Sequence, residues 1–313
     1  MNLDDLAQIL EKEQIPIKIN EPLEKYTTFR IGGSAKILAL PENTDQLLKL
    51  QKAILKASDI PRFLLGGGSN ILIADGLFEG VMIHPNFPEE ISVMENSQES
   101  VTVEVPASAR APWVGRRLSE KGFSGLEFLT TIPGQFGGAV IQNAGCYGWE
   151  LKDVLHSVTT VENGKVRNFP VDECKFSYRN SLFKTAKDIW IASAVLMLNA
   201  DEHEKIQHRL EDYKSRRLAS QPRNRRSAGS IFKNPNPEKS NGKKAWQLID
   251  DAGLRGITRN GASISAEHCN FIVNDKTATA ADVYFLIKLI EKDVLQKTGV
   301  QLEKEVVLVG KFD

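Results

Sequence analysis

The run from Thr130 to Gly148, TTIPGQFGGAVIQNAGCYG, constrains this chain more than any other segment. Five glycines are interleaved there with short hydrogen-bonding side chains and few charges. Glycine admits positive φ and close approach of the backbone, and successive N–H groups in such turns form a concave site for an anion without any charged side chain. A second stretch, LGGGSNILIADG from Leu65 to Gly76, has the same character. Neither fits the GxGxxG dinucleotide fingerprint or the GxxxxGK[ST] phosphate loop, so two standard nucleotide folds lose their main support. Taken singly, each run reads equally as a tight turn in a β-rich protein. Together they point to a bed for a ligand's phosphates.

The length of 313 residues, 41% of them hydrophobic, suits about two soluble domains. Forty basic residues balance forty acidic ones, which argues against a global polyanion-binding role. Cys146, Cys174 and Cys269 are odd in number and widely spaced, so neither a disulfide framework nor a thiolate metal site is expected. The histidines offer no metal set either. MNLDDLAQILEKEQ opens with acidic residues and reads as an amphipathic helix, unlike a signal peptide; a cytoplasmic location is expected. The most apolar stretch, Ile189 to Leu198, is about half of a membrane span and reads as a buried strand.

Along the chain, Lys36 to Leu40 reads as a strand stopped by Pro41, followed by a capped amphipathic helix in NTDQLLKLQKAILKAS. Short strands follow at FLL, ILI and VMI. Val101 to Val105 alternates as a half-buried strand, Pro112 opens a helix, and Asn163-Gly164 marks a tight hairpin. From Asp201 a highly charged helical run leads into the loop QPRNRRSAGSIFKNPNPEKSNGKK. Beyond it lie a short helix at AWQLIDDAGL, a strand at NFIVN and a helix from Thr279 to Thr298 with Thr279 and Asp282 at capping-box spacing. VQLEKEVVLVG reads as a final alternating strand. Strands and helices mix without a βαβ repeat, which predicts an α+β fold. The expected division is 1–200 in two parts, about 1–75 and 76–200, then 201–300, with a terminal strand over 301–313.

Several side chains are placed to do chemistry. In SAGSIFKNP, glycine gives Ser230 a loop position while Lys233 and Asn234 offer a cation and an amide. No GxSxG elbow or histidine partner accompanies Ser230, so proton donation suits it better than nucleophilic attack. Arg179 in FSYRNSLFK sits where a guanidinium can grip a carboxylate. Glu303 and Glu305 lie two apart and share a face of the predicted strand. The cluster Lys214, Arg216, Arg217, Arg223, Arg225 and Arg226 has little aromatic interleaving, so a helix end or a nucleotide-phosphate contact suits it better than nucleic acid.

In this order, YTTFRIGG, GGGSN, IPGQFGGAVIQNAG, SYRNSLFK, GSIFKNP, ISAEHCNFIVN and LEKEV resemble the UDP-N-acetylenolpyruvoylglucosamine reductase family over nearly the whole chain. The resemblance implies an FAD-binding domain of the vanillyl-alcohol oxidase type and a C-terminal α+β domain for the UDP-sugar. It implies that Gly66, Gly67, Gly68, Ser69, Asn70, Thr130, Thr131, Ile132, Pro133, Gly134, Gly137, Gly138 and Asn143 line the FAD site. Arg179, Ser230 and Glu305 match the family's catalytic positions, and Arg179, Lys233 and Asn234 its substrate contacts. NADPH would reduce FAD, and the enolpyruvyl sugar would then take the hydride. Arg179 and Glu305 would stabilise the developing charge, and Ser230 would deliver the proton. The implied partners are the UDP-sugar and NADPH, without metal, nucleic acid, membrane or an obligate protein partner. Two departures, Trp246 for a usual glycine and Arg226 for a common proline, bear on local loop shape. The direct passage from SLFK to Ile189 resembles the subgroup without a substrate-covering loop. The rivals are another FAD oxidoreductase of the same superfamily and a non-catalytic nucleotide- or RNA-binding protein.

Overall fold

The computed structural model describes residues 1–312 apart from Ser58, Lys187 and 223–225. The arginine cluster singled out above therefore falls partly, at Arg223 and Arg225, outside the described residues. The chain divides into two compact units, one comprising Met1–Asn20, Lys36–Gly67 and Glu79–Arg217, the other Glu21–Ala35, Gly68–Phe78 and Leu218–Asp313.

The first unit begins with two amphipathic helices, α1 (Leu3–Lys12) and α2 (Thr44–Leu55), capped by Asn2 and Asn43. Their apolar faces, Leu6 and Leu10 on one and Leu47 and Leu50 on the other, close a core with Ile37 and Val81. Those last two residues belong to a four-stranded sheet ordered Ile17–Pro22, Ser34–Ala39, Leu77–Ile83 and Arg62–Leu64.

A larger antiparallel sheet forms the centre of this unit. Its strands run in the order Lys165–Pro170, Leu155–Glu162, Ile189–Ala200, Ser100–Pro106 and Ser92–Asn96. The alternation in VTVEV is realised as inward-facing Val101, Val103 and Val105, and the Asn-Gly turn closes the pair Glu162 and Lys165. The central strand is apolar on both faces because a register shift opposite Thr159 and Thr160 breaks its alternation. Trp190 and Ala192 enter the core beneath α1 and α2, whereas Ala194, Leu196 and Leu198 enter the other. That second core is covered by α3 (Ala111–Glu120), α4 (Phe136–Ile141) and α5 (Leu182–Thr185). The charged run after Asp201 is α6 (His203–Ser220), tied down where Arg209 bonds buried Glu127 at 2.8 Å and Asp201 at 2.6 Å.

The second unit contains α7 (Pro237–Ser240), α8 (Ala245–Asp251) and α9 (Ala280–Thr298), with a small antiparallel sheet of Thr258–Arg259, Ala262–Ile264 and Ile272–Asn274. Thr279 and Asp282 form the capping box expected at the start of α9. Sequence reading missed Asp75, whose carboxylate accepts from the N–H groups of Ala280 and Ala281 at 2.8 and 3.0 Å, adding a negative charge where the helix dipole favours one.

One expected element contracts. The strand proposed for residues 300–310 is limited to Val307–Val309, which pairs in parallel with Ile71–Ile73. Before it the chain makes a single bridge, Phe232 to Lys304, because its neighbour there is the irregular SIFKNP segment, too short to support a ladder. Glu303 and Glu305 thus lie off regular strand, the first exposed and the second half-buried. Among the described residues, no helix is long and apolar enough to cross a membrane.

Candidate active site

In the first unit the two glycine runs meet backbone to backbone. A Cβ added at Gly67 would lie 2.6 Å from Gly134 Cα and 2.7 Å from Gln135 N, so no other residue fits there without displacing main chain. Gly134 adopts φ +113° and its carbonyl accepts from Ala111 N at 2.9 Å. Gly137, whose N–H donates to Ala107 O at 2.8 Å, would clash with Ala107 Cβ at the same distance if it carried a side chain. Gly138 differs, since a Cβ there would meet nothing within 4 Å. The backbone at Gly138 therefore faces open space beside the junction of the runs. This surface of bare main chain fits an extended anionic group such as a cofactor diphosphate.

The threonines that precede Gly134 are set by the short 3₁₀ helix Glu127–Thr131. Thr130 Oγ1 donates to Glu127 O at 2.6 Å and Thr131 Oγ1 to Phe128 O at 2.8 Å, while Ile132 and Pro133 carry the chain on to Gly134. Asn143 is fully buried, and its amide donates to Glu150 Oε2 at 3.0 Å and Ser177 O at 3.2 Å while its oxygen accepts from Lys152 N at 3.1 Å. Both of its amide hydrogens are committed, so Asn143 acts on its neighbours and not through a free amide.

Arg179 joins the same neighbourhood. Ser177 and Asn180 exchange backbone bonds of 3.0 Å each, which closes a two-residue turn over Tyr178 and Arg179. The guanidinium donates to Gly145 O at 2.6 Å. Lys152, Asn143 and Arg179, against a burial that raises it, hold the Glu150 carboxyl below its ordinary range. Burial raises the Cys146 thiol, opposed by its contact with Thr131 and by Arg179, so it stays protonated at neutral pH. Burial likewise lowers His84, which bonds Leu65 O at 2.9 Å behind the first glycine run.

The second unit draws motifs from across the chain into one hydrogen-bond network. Thr28 of YTTFRIGG donates its N–H to Gly68 O at 3.0 Å and its hydroxyl to Ser227 O at 2.6 Å. Gly68 has φ +62°, and a Cβ there would meet Tyr26 O at 2.0 Å. Beyond Ser69, Asn70 Nδ2 donates to Glu305 O at 3.1 Å and Asn70 O accepts from Val307 N at 3.0 Å. GSIFKNP then pairs with LEKEV: Glu305 N donates to Ile231 O at 2.8 Å and Lys233 N to Glu303 O at 2.9 Å. Ser230 is half-buried at the head of this pairing, directly after Gly229 at φ +73°.

Asn270 fixes that pairing from below. Its side chain accepts from Phe232 N at 3.0 Å and donates to Phe232 O at 2.8 Å, and its carbonyl accepts from Ile231 N at 2.8 Å. Asn274 does the same for the first motif by donating to Phe29 O at 2.9 Å. The strand expected at NFIVN carries the signal that could have found these clamps, a buried asparagine at each of its ends, Asn270 and Asn274. The Lys233 ammonium pairs with Glu303, and Asn234 Oδ1 accepts from Ala245 N at 3.2 Å at the start of α8. A cleft of about 820 Å³ opens beside them, with Lys239, Glu291 and Lys304 also on its wall. Trp246, one of the two departures, lies in the first turn of α8 with its ring 6.1 Å from that of His268.

These features define the class. Residues 35–169 match the FAD binding domain family, and the protein is an FAD-dependent oxidoreductase of α+β fold. Residues 221–309 match the family "UDP-N-acetylenolpyruvoylglucosamine reductase, C-terminal domain". The UDP-N-acetylenolpyruvoylglucosamine reductase of Leptospira interrogans is 41% identical over 312 residues, covering 98% of this chain and 96% of its own. That of Carboxydothermus hydrogenoformans is 39% identical over 97% of each chain. The crystal structure of the reductase from Thermus caldophilus superposes with a TM-score of 0.76 at 30% identity, over 95% of this chain and 99% of that one. The chain belongs to the UDP-N-acetylenolpyruvoylglucosamine reductase family.

Proposed function

We propose that this protein carries out the NADPH-dependent reduction of UDP-N-acetylglucosamine enolpyruvate to UDP-N-acetylmuramate, a step of peptidoglycan precursor synthesis. The observation that carries the reading to particular residues is the pairing of GSIFKNP with LEKEV over Asn270, which holds Ser230 and Glu305 on adjoining backbone. When bound, FAD supplies hydride transfer between NADPH and the methylene carbon of the enolpyruvyl group.

The division of labour follows from the chemistry of each residue. Gly66, Gly67, Thr130 to Gly134, Gly137 and Gly138 form the bed for the cofactor diphosphate, with Asn143 supporting that bed from within. Gly68, Ser69 and Asn70 hold the second unit's end of the first loop. Arg179 offers a permanent positive charge to the carboxylate on which negative charge develops. Ser230 delivers the proton that completes the reduction, and Glu305 assists by hydrogen bonding. Lys233 and Asn234 contact the UDP-sugar. We place the UDP-sugar domain after residue 201 and the reaction in the cytoplasm, where NADPH and UDP-sugars are made. The reading needs no obligate protein partner, and its product links the enzyme to cell shape and division through wall supply.

The test is the visible spectrum of the purified protein under anaerobic conditions. Flavin bands should bleach on adding NADPH and return on adding the UDP-enolpyruvyl sugar. Bleaching without return would overturn the substrate, and absence of flavin after reconstitution with FAD would overturn the whole reading.

The glycine geometry gives a finer test of the cofactor bed. Gly67→Ala drives a methyl group into main chain 2.6 Å away and should abolish FAD retention. Gly138→Ala meets nothing within 4 Å beyond its own helix and chain neighbours, and alanine favours the interior of α4 over glycine, so the apoprotein should melt no lower than the wild type. Its FAD affinity, followed by quenching of flavin fluorescence, should nonetheless fall by at least tenfold, about 1.4 kcal/mol. Unchanged FAD affinity in Gly138→Ala would remove that glycine from the bed.

A further inference from the structure

We propose that Lys184 is a positioning residue for Arg179, locking the turn that carries the guanidinium against the end of α4. The inference rests on the reading of Arg179 as the group that stabilises developing charge, and it concerns a side chain to which that reading gives no role.

Three observations converge on Lys184. Its ammonium donates to Arg179 O and to Gln142 Oε1, each at 2.9 Å, and so bridges the turn to the residue that caps α4. Arg179 itself has φ +54°, in the left-handed region that a side chain with a Cβ seldom occupies. Such a conformation is strained and persists only where the surroundings enforce it. The stem of Lys184 is itself anchored, because Phe183 beside it is buried and packs edge-on to Phe169 at 5.6 Å and to Phe176 at 6.5 Å.

The other ties of the turn hold different atoms. Asn143 binds Ser177 O at 3.2 Å, and Ser181 Oγ binds Ile141 O at 2.7 Å. These fix the two arms of the turn to the glycine-rich run and leave its tip to other contacts. Lys184 acts at the tip, on the carbonyl of the residue in the left-handed conformation. A guanidinium on four rotatable bonds can be aimed only if its Cα is fixed, and a fixed bearing is what makes an electrostatic contact effective without reorganisation during the reaction. The cation has a further consequence, since an ammonium tolerates no apolar replacement on a backbone carbonyl, whereas a guanidinium can reach the same oxygen.

The test uses the FAD-loaded full-length enzyme in stopped flow. Lys184→Met should leave flavin reduction by NADPH within about twofold of wild type and slow reoxidation by the UDP-enolpyruvyl sugar about 10- to 100-fold. Lys184→Arg should recover most of that loss. Arg179→Ala should slow the same step by about 10²–10³. The double variant Arg179→Ala with Lys184→Met should be no slower than Arg179→Ala beyond about threefold, since Lys184 would then have nothing left to position. In the flavin-free apoprotein, hydrogen exchange over residues 177–180 should quicken about tenfold in Lys184→Met, a readout independent of turnover. If Lys184→Met is insoluble, Gln142→Leu removes the other half of the bridge and should slow reoxidation about three- to tenfold. Slow reoxidation in Arg179→Ala with none in Lys184→Met, or additive losses in the double variant, would overturn the inference and leave the role of Arg179 standing. Normal reoxidation in Arg179→Ala would overturn that role and the inference with it.

Discussion

Ser230→Ala will keep FAD bound and reducible by NADPH, yet slow reoxidation by the UDP-enolpyruvyl sugar about 10²–10⁴-fold, the range over which a positioned proton donor contributes. The expectation follows from how little else the substitution touches. Ile231 next to it is fully buried and donates to Asn270 O at 2.8 Å, while Ile231 O accepts from Glu305 N at 2.8 Å. Gly229 on its other side turns the chain at φ +73°. These backbone constraints survive removal of one hydroxyl, so a loss of rate reports the hydroxyl itself. A serine oxygen also has one rotatable bond between it and the fixed main chain, which confines it to three staggered positions. Rapid mixing of the NADPH-reduced variant with the sugar separates the two half-reactions. Reoxidation at the wild-type rate would remove Ser230 from the mechanism, and a defect confined to the NADPH step would assign it to the wrong half.

The sequence disclosed the elements whose cause is local. Alternation in VTVEV, the Asn163-Gly164 turn and the Thr279/Asp282 capping box each depend on residues within a few positions of one another, and each stands in the structure as read. The glycine runs were legible as special backbone because their composition departs from ordinary turns, and a Cβ at Gly67 or Gly137 would meet neighbouring atoms at 2.6 and 2.8 Å. What escaped is long-range. VQLEKEVVLVG alternates along its length, but alternation reports faces and not partners, and the ladder it finds among the described residues is with the short strand at Ile71–Ile73. Asp75 capping α9 spans 205 positions, and Thr28 bonding Ser227 spans 199. Lys184 lies inside SYRNSLFK, yet its partners are a carbonyl five residues back and Gln142, 42 residues away. Polar side chains of this kind are invisible to periodicity because they satisfy main chain that the sequence does not place beside them.

The same logic makes Asn270→Ala the most damaging single change we expect for stability. Phe232 is fully buried, and its N–H and C=O are both satisfied by one amide, at 3.0 and 2.8 Å. Truncation to alanine strands both groups away from water. At about 1–3 kcal/mol for each buried backbone group left unpaired, the loss is about 4 kcal/mol, near a thousandfold in the folding equilibrium. Calorimetry of the full-length apoprotein should show the transition lowered by roughly 10 °C. Asn270→Asp sharpens the point. At neutral pH its second carboxylate oxygen faces Phe232 O, where the amide had supplied a donor, so the variant should be no more stable than Asn270→Ala. Protonation restores a donor, and the neutral form is therefore the one the fold favours. The folded-state pKa of this carboxyl is raised, and its stabilising contribution is present below the unfolded carboxylate value and lost as pH rises through the folded one. Asn270→Asp should accordingly gain stability relative to Asn270→Ala on acidification, while the two converge toward neutrality. A melting temperature of Asn270→Ala within 2 °C of wild type would show that Phe232 finds other partners and that the pairing of GSIFKNP with LEKEV does not depend on this clamp.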